Sequence, residues 1–134
     1  MSKIKEFLVV LIILFIIDLP FLNYFMSKKW SIMVQNIQHQ SMKINFKSAF
    51  VTYLLMAFAI VFYVLPYISE ENLFKESILI GGFLGLIIYG IFDLTNLSII
   101  QNYDINIAIL DILWGALLFA ITTYISKKIL ISIK

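Results

Sequence analysis

Three aspartates stand where a carboxylate is least expected: Asp18, Asp93 and Asp111 each fall inside a long apolar run. An acid at the centre of a bilayer costs about 2.5–3.5 kcal/mol on insertion scales, so each should face protein or water and not lipid. No Lys lies in the same runs to neutralise them, and the chain has no Arg. Carboxyls so placed can exchange protons, hold a cation or tie helices together by hydrogen bonds. Around them lie residues at helical steps. Gly81, Gly85, Tyr89, Asp93 and Asn96 recur every three or four positions and form one stripe, and Asp111, Trp114, Gly115, Leu118 and Thr122 form another. The candidate functional residues are therefore Asp18, Tyr89, Asp93, Asn96, Asp111 and Trp114. Gly81, Gly85 and Gly115 are the candidate helix-packing positions, since small residues four apart let a second helix approach closely.

Four elements must carry these residues. Apolar runs at about 7–26, 49–68, 77–100 and 105–125 each have the roughly 20 residues a helix needs to cross hydrocarbon. The expected fold is all-α: a single transmembrane domain over residues 1–134, built as an integral membrane four-helix bundle. The first run follows Lys3 and Lys5 but ends at Tyr24-Phe25-Met26, too long and too bulky for a cleavable signal. Pro20 and Pro66 sit near span ends, where a missing donor is best tolerated.

The connections differ. Between the first two spans, Trp30, Met33, Val34 and Ile37 fall at helical spacing among Lys29, Gln35, Asn36 and Gln38. That pattern predicts a short amphipathic helix at the membrane interface, with Trp30 as its anchor. The second connection is acidic (Glu70, Glu71, Glu76). The third, Gln101 to Asp104, is a tight turn with Asp104 as helix N-cap. So short a turn makes the last two spans an antiparallel hairpin. Alternation of the spans then puts Asp18, Asp93 and Asp111 at one depth, toward the side opposite the termini. The two stripes should meet and bring Asp93 beside Asp111. Two such carboxyls cannot both be charged cheaply, so one must hold a proton or a cation must sit between them.

Composition defines the solvent. The 134 residues are 62% hydrophobic and 13% charged, about half the charge of an ordinary soluble domain, and the mean hydropathy is +0.99. Disorder is excluded, and so little charge leaves too little polar surface for a soluble globule. A net charge of +2 carried entirely by lysines gives no nucleic-acid footprint. Without Cys there is no disulfide, thiolate metal site or catalytic thiol. His39, the single histidine, reads as an interfacial polar residue and not as a metal ligand. Gly81-Gly82-Phe83-Leu84-Gly85 is no nucleotide loop, because it follows no strand and lies within an apolar helix. Six lysines on the side of the termini against four on the other favour both termini in the cytoplasm.

With these residues in view the sequence resembles a known family. Tyr89-Gly90-Ile91-Phe92-Asp93-Leu94-Thr95-Asn96-Leu97, followed by Leu110-Asp111-Ile112-Leu113-Trp114-Gly115, is similar to the signature of the domain of unknown function numbered twenty-one seventy-seven. The Gly-rich start of the third span fits that family, as does the second span from Tyr53-Leu54-Leu55 through Leu65-Pro66. In the first span Asp18 matches, while Phe21 stands where the family usually has Trp. The resemblance implies a four-helix integral membrane protein and supplies no established activity.

Three functions fit the residues. In the first, a small transport protein couples to protons or a cation through the intramembrane aspartates. Four helices of this length enclose little space, so such a pathway implies a homo-oligomer within the lipid bilayer. In the second, a structural or assembly protein uses the acids as helix-packing hydrogen bonds. In the third, a lipid-modifying enzyme, or its accessory subunit, uses the acids with Tyr89, Thr95 and Asn96 for metal binding or acid–base work. Against this last reading, no span contains His or a nucleophile motif. No cofactor is expected beyond a cation at Asp93 and Asp111.

Overall fold

The structure, a computed structural model, describes residues 2–134. Helix α1 (Lys3–Phe21) begins at Ser2, whose hydroxyl accepts from the Lys5 N–H at 3.2 Å. It contains Pro20 and does not stop there. A widened π-helical turn, Leu22–Met26, leads directly into α2 (Ser27–Gln38), so that Lys3–Gln38 is one 36-residue helix. Such a helix is about 54 Å long at 1.5 Å per residue, well beyond the roughly 30 Å of hydrocarbon. The amphipathic segment expected at the interface thus exists as a continuation of the first span and not as a separate piece. Nothing between Asn23 and Lys29 breaks a helix, and Lys28 and Lys29 change the solvent without changing the backbone. His39 ends α2 in the left-handed conformation (φ 60°) and is exposed.

Helix α3 (Phe46–Tyr63) is capped by Asn45, whose side-chain oxygen accepts from the Ser48 N–H at 3.1 Å. A 3-10 turn containing Pro66 follows it. The third span is again continuous: α4 (Leu73–Glu76), a π-helical segment (Ser77–Gly82) and α5 (Phe83–Ile99). After a turn with Asn102 at φ 66°, α6 (Ile105–Ser132) starts at Asp104. The Asp104 carboxylate accepts from the N–H groups of Asn106 (2.8 Å) and Ile107 (3.4 Å), as expected of an N-cap. All four helical units are long and apolar enough to cross a membrane.

Helices α1 and α6 form the middle of the bundle, with α3 packed on α1 and α5 on α6. The core between them is apolar: Val10 and Leu14 from α1, Ala57, Ile60 and Val61 from α3, Leu118 and Phe119 from α6. The outward faces carry Ile12, Leu55, Leu79 and Leu113, all exposed. That distribution suits lipid. Since lipid tails are as apolar as these side chains, close packing holds the helices together, not exclusion from water. Gly85 supplies the closest approach. A Cβ there would collide with the Gly115 carbonyl oxygen and the Phe119 side chain, so α5 and α6 touch backbone to backbone.

Helix α2 contributes a second, smaller core. Met26, Met33 and Ile107 are buried together, with Trp30, Ile37, Tyr103 and Leu110 against them. The backbone N–H of Asp104 points at the Met33 sulfur at 3.2 Å. The overhanging helix therefore rests on the α5–α6 turn, at the end of the bundle where the acids lie.

Candidate functional site

Each candidate acid sits on the inner face of its helix: Asp18 is 4% exposed, Asp93 0% and Asp111 8%. Asp18 lies beside two donors from two other helices. Tyr53 of α3 donates its hydroxyl to Oδ2, and Trp114 of α6 donates its indole N–H to Oδ1 at 2.7 Å. The Trp114 ring is fixed from behind by Phe21, stacked at 3.8 Å between centroids and 13° from parallel. The carboxyl therefore ties α1, α3 and α6 together with both oxygens engaged.

Asp93 and Asp111 form the other half of the site. Their carboxyls are neighbours across the α5–α6 contact, close enough for Asp111 to feel the charge of Asp93. Asp93 Oδ1 also accepts from the Tyr103 hydroxyl at 2.7 Å. The Asn96 amide donates to that same hydroxyl at 3.4 Å. Asp93 Oδ2 is buried and has no hydrogen-bond partner. An ionised carboxylate only accepts, so a hydrogen bond between two carboxyls requires a proton on one of them.

Tyr89 links the halves. It lies near all three acids, Asp18, Asp111 and Asp93. The ring is seated on Gly115, where a Cβ would overlap it, and meets Phe119 edge-on at 6.4 Å. Gly115 is thus a packing glycine with a consequence for the site, because its bare backbone gives Tyr89 its place. Gly81 packs likewise, against Thr123 and the Phe119 carbonyl.

The six candidate residues are linked: Trp114 to Asp18, Asn96 through Tyr103 to Asp93, and Tyr89 beside Asp18, Asp93 and Asp111. Two partners were not among them. Tyr53 and Tyr103 supply the phenols that hold Asp18 and Asp93; Tyr53 figures in the sequence only as part of the second span's family match, and Tyr103 lies in the turn without a helical stripe to mark it. Thr95, by contrast, is exposed on the far side of α5 and contributes nothing to the cluster.

Tyr103 lies outside the spans and is half-buried. Burial raises its pKa above the ordinary phenol value; the nearby Asn96 amide pulls the other way, and the bond to Asp93 and the charges of Asp93 and Asp111 push further up. Its ring meets Trp30 of α2 edge-on at 6.1 Å. The path from α2 to the acids therefore runs Trp30, Tyr103, Asp93. Beside this end, a groove of about 320 Å³ is lined by Lys29, Ile32, Asp104, Asn106, Ile107 and Leu110. Among the described residues, no three Asp, Glu, His or Cys side chains are grouped to hold a metal ion.

Over residues 3–127 the chain matches the family described as "Predicted membrane protein (DUF2177)", the same family its motifs resemble. No curated protein and no solved structure matches it.

Proposed function

We propose that this chain, which belongs to the DUF2177 family of predicted membrane proteins, is a small proton-coupled transport protein whose exchanging group is the Asp93–Asp111 carboxyl pair. The observation that carries this reading is the pair itself: two buried neighbouring carboxyls, with Asp93 Oδ2 buried and without a hydrogen-bond partner. No basic side chain balances them inside the spans. One proton shared by the pair leaves a single negative charge and lets one carboxyl donate to the other. Removing it leaves two like charges facing each other in a medium that screens poorly, so proton or cation must return before the state can persist. A monovalent cation between the two carboxyls is the same chemistry with a different charge carrier.

Access is the role of Tyr103. It closes over Asp93 from the turn between α5 and α6, and Trp30 of α2 braces it. Four helices leave little room for a larger passage, so transport of anything beyond a proton calls for a homo-oligomer in the bilayer. The lysine distribution, six against four, favours both termini in the cytoplasm, with Tyr103 on the opposite side.

A second reading rests on Asp18. With Tyr53 and Trp114 both engaged, that acid resembles helix glue, as a structural or assembly protein would use it. Lipid-modifying chemistry has less support, since Thr95 is directed away from the acids.

The test is proton flux into proteoliposomes carrying a trapped pH indicator, driven by a potassium diffusion potential. Asp93→Asn and Asp111→Asn are each expected to abolish the flux, while Thr95→Ala leaves it intact. Unchanged flux in both aspartate variants, or none in the parent, would sink the proposal.

A further inference from the structure

Away from the acids, toward the end that carries the termini, four hydroxyls lie buried without a partner: Ser77 Oγ, Thr122 Oγ1, Thr123 Oγ1 and Ser126 Oγ. Ser77 is 1% exposed and the other three 0%. Ser77 opens the π-helical segment that packs along α6, the helix carrying the other three. Thr122 and Thr123 are four and three residues from Ser126, so all three crowd one side of α6. Gly81 makes the room: a Cβ there would come within 2.5 Å of Thr123 Oγ1.

Buried polar groups are paired in roughly nine cases in ten or more, and a hydroxyl on a membrane helix ordinarily bonds a carbonyl one turn back. Four hydroxyls that do neither, gathered in one layer, point to a ligand. Its chemistry follows from the charges nearby. No carboxylate lies on α6 between Thr122 and Ser126, and the next side chains along it are the ammonium groups of Lys127 and Lys128. The carboxylates on neighbouring elements, Glu6 and Glu76, are engaged by Lys3 and by the Ser69 N–H, so a cation would find no free counter-charge. Hydroxyls both donate and accept, which suits water. Just beyond the cluster, a cavity of about 60 Å³ is lined by Glu6, Leu65, Lys127, Leu130, Ile131 and Lys134 and opens at the end of the bundle. That is room for a few water molecules. On the inner side, Leu14, Leu118 and Phe119 are fully buried in the apolar core against which Tyr89 packs.

We propose that the Ser77–Thr122–Thr123–Ser126 cluster is a water-binding seat, reached from the termini's side of the membrane, with Leu14, Leu118 and Phe119 as the dry barrier between it and the acids. In the transport reading, on which only this last role rests, it is the second half of a proton path whose first half is Tyr103, Asp93 and Asp111.

The chain has no native Cys, so single cysteines report accessibility without background. Ser126→Cys, Thr122→Cys and Thr123→Cys would be reconstituted in phosphatidylcholine vesicles and treated with a small, positively charged methanethiosulfonate. Leu118→Cys in the barrier and Leu117→Cys facing lipid serve as comparators. Only variants that elute like the parent are compared, and the three cluster positions check one another. Ser126→Cys and at least one threonine variant are expected to react at least tenfold faster than both comparators. Equal rates at all positions overturn the water seat. Proton flux separates this claim from the transport reading. Labelling without flux in the parent keeps the seat and removes the transport role. Flux lost in Asp93→Asn but unchanged in a Thr122→Val/Ser126→Ala double variant overturns the path and keeps the transport reading.

Discussion

Gly85 and Gly90 occupy the same helix, five residues apart, and should respond to the same substitution in opposite ways. Replacing a helical Gly by Ala gains about 0.5–1 kcal/mol of backbone entropy at either site. At Gly90 a new Cβ meets nothing within 4 Å, so the gain should be realised in full. At Gly85 the same methyl lands on the Gly115 carbonyl oxygen and on the Cβ and Cγ of Phe119. A flexible side chain could rotate away, but a helical carbonyl cannot. The two helices must separate, and overpacking of this kind costs about 1–3 kcal/mol, with backbone collisions at the upper end. Gly85→Ala should therefore be destabilised by roughly 1–2 kcal/mol net, and the two variants should differ by about 2–3 kcal/mol. Reversible unfolding in mixed micelles, followed by far-UV circular dichroism and by the fluorescence of Trp30 and Trp114, measures both. If the two substitutions shift stability in the same direction by the same amount, the backbone contact between α5 and α6 is wrong. The paired acids would fall with it, since that contact sets their separation.

Other consequences follow from single side chains. Trp114→Phe keeps the stacking on Phe21 but removes the donor to Asp18, leaving a buried acceptor unsatisfied. A loss of about 1–3 kcal/mol is expected in the same unfolding assay; no loss would mean that Asp18 does not need this partner. Tyr103 should stay protonated at pH values where an ordinary tyrosine ionises, because burial and the carboxylate beside it favour the neutral form. Its folded pKa lies above its unfolded one, so this group's stabilisation is complete below about pH 10. It is lost as pH rises from there toward the folded value. Ultraviolet difference titration of the parent against Tyr103→Phe reads this directly: the missing phenolate signal should be a late-titrating one, and an ordinary midpoint would contradict the docked turn.

Much of this arrangement can be read without coordinates, for identifiable reasons. Apolar run length marks the four crossings because hydrocarbon thickness is fixed. The inner faces of α5 and α6 follow from steps of three and four, and a four-residue turn leaves those faces little choice but to meet. The aspartates stand out because an uncompensated acid in lipid is costly. Tyr53 and Tyr103 do not stand out. A tyrosine is unremarkable in a membrane helix or at its edge, and the Tyr53–Asp18 bond joins residues 35 apart in sequence. The continuity of α1 with α2 is equally hidden. Lys28 and Lys29 look like the end of a span, yet they end only the hydrocarbon, and the π-helical turn at Leu22–Met26 has no periodicity signature. The unpartnered hydroxyls are invisible for a related reason, since Ser and Thr are common in membrane helices and only their surroundings make these four unusual.

The central claim concerns one proton. Infrared difference spectroscopy of the reconstituted protein can observe the carbonyl stretch of a protonated carboxyl, assigned by its loss in an Asp93→Asn/Asp111→Asn double variant. The expected result is a protonated band at neutral pH that shifts on transfer to heavy water, marking a proton shared by the pair and exchangeable with solvent. Bands from ionised carboxylates alone, or a protonated band that heavy water never shifts, would contradict it.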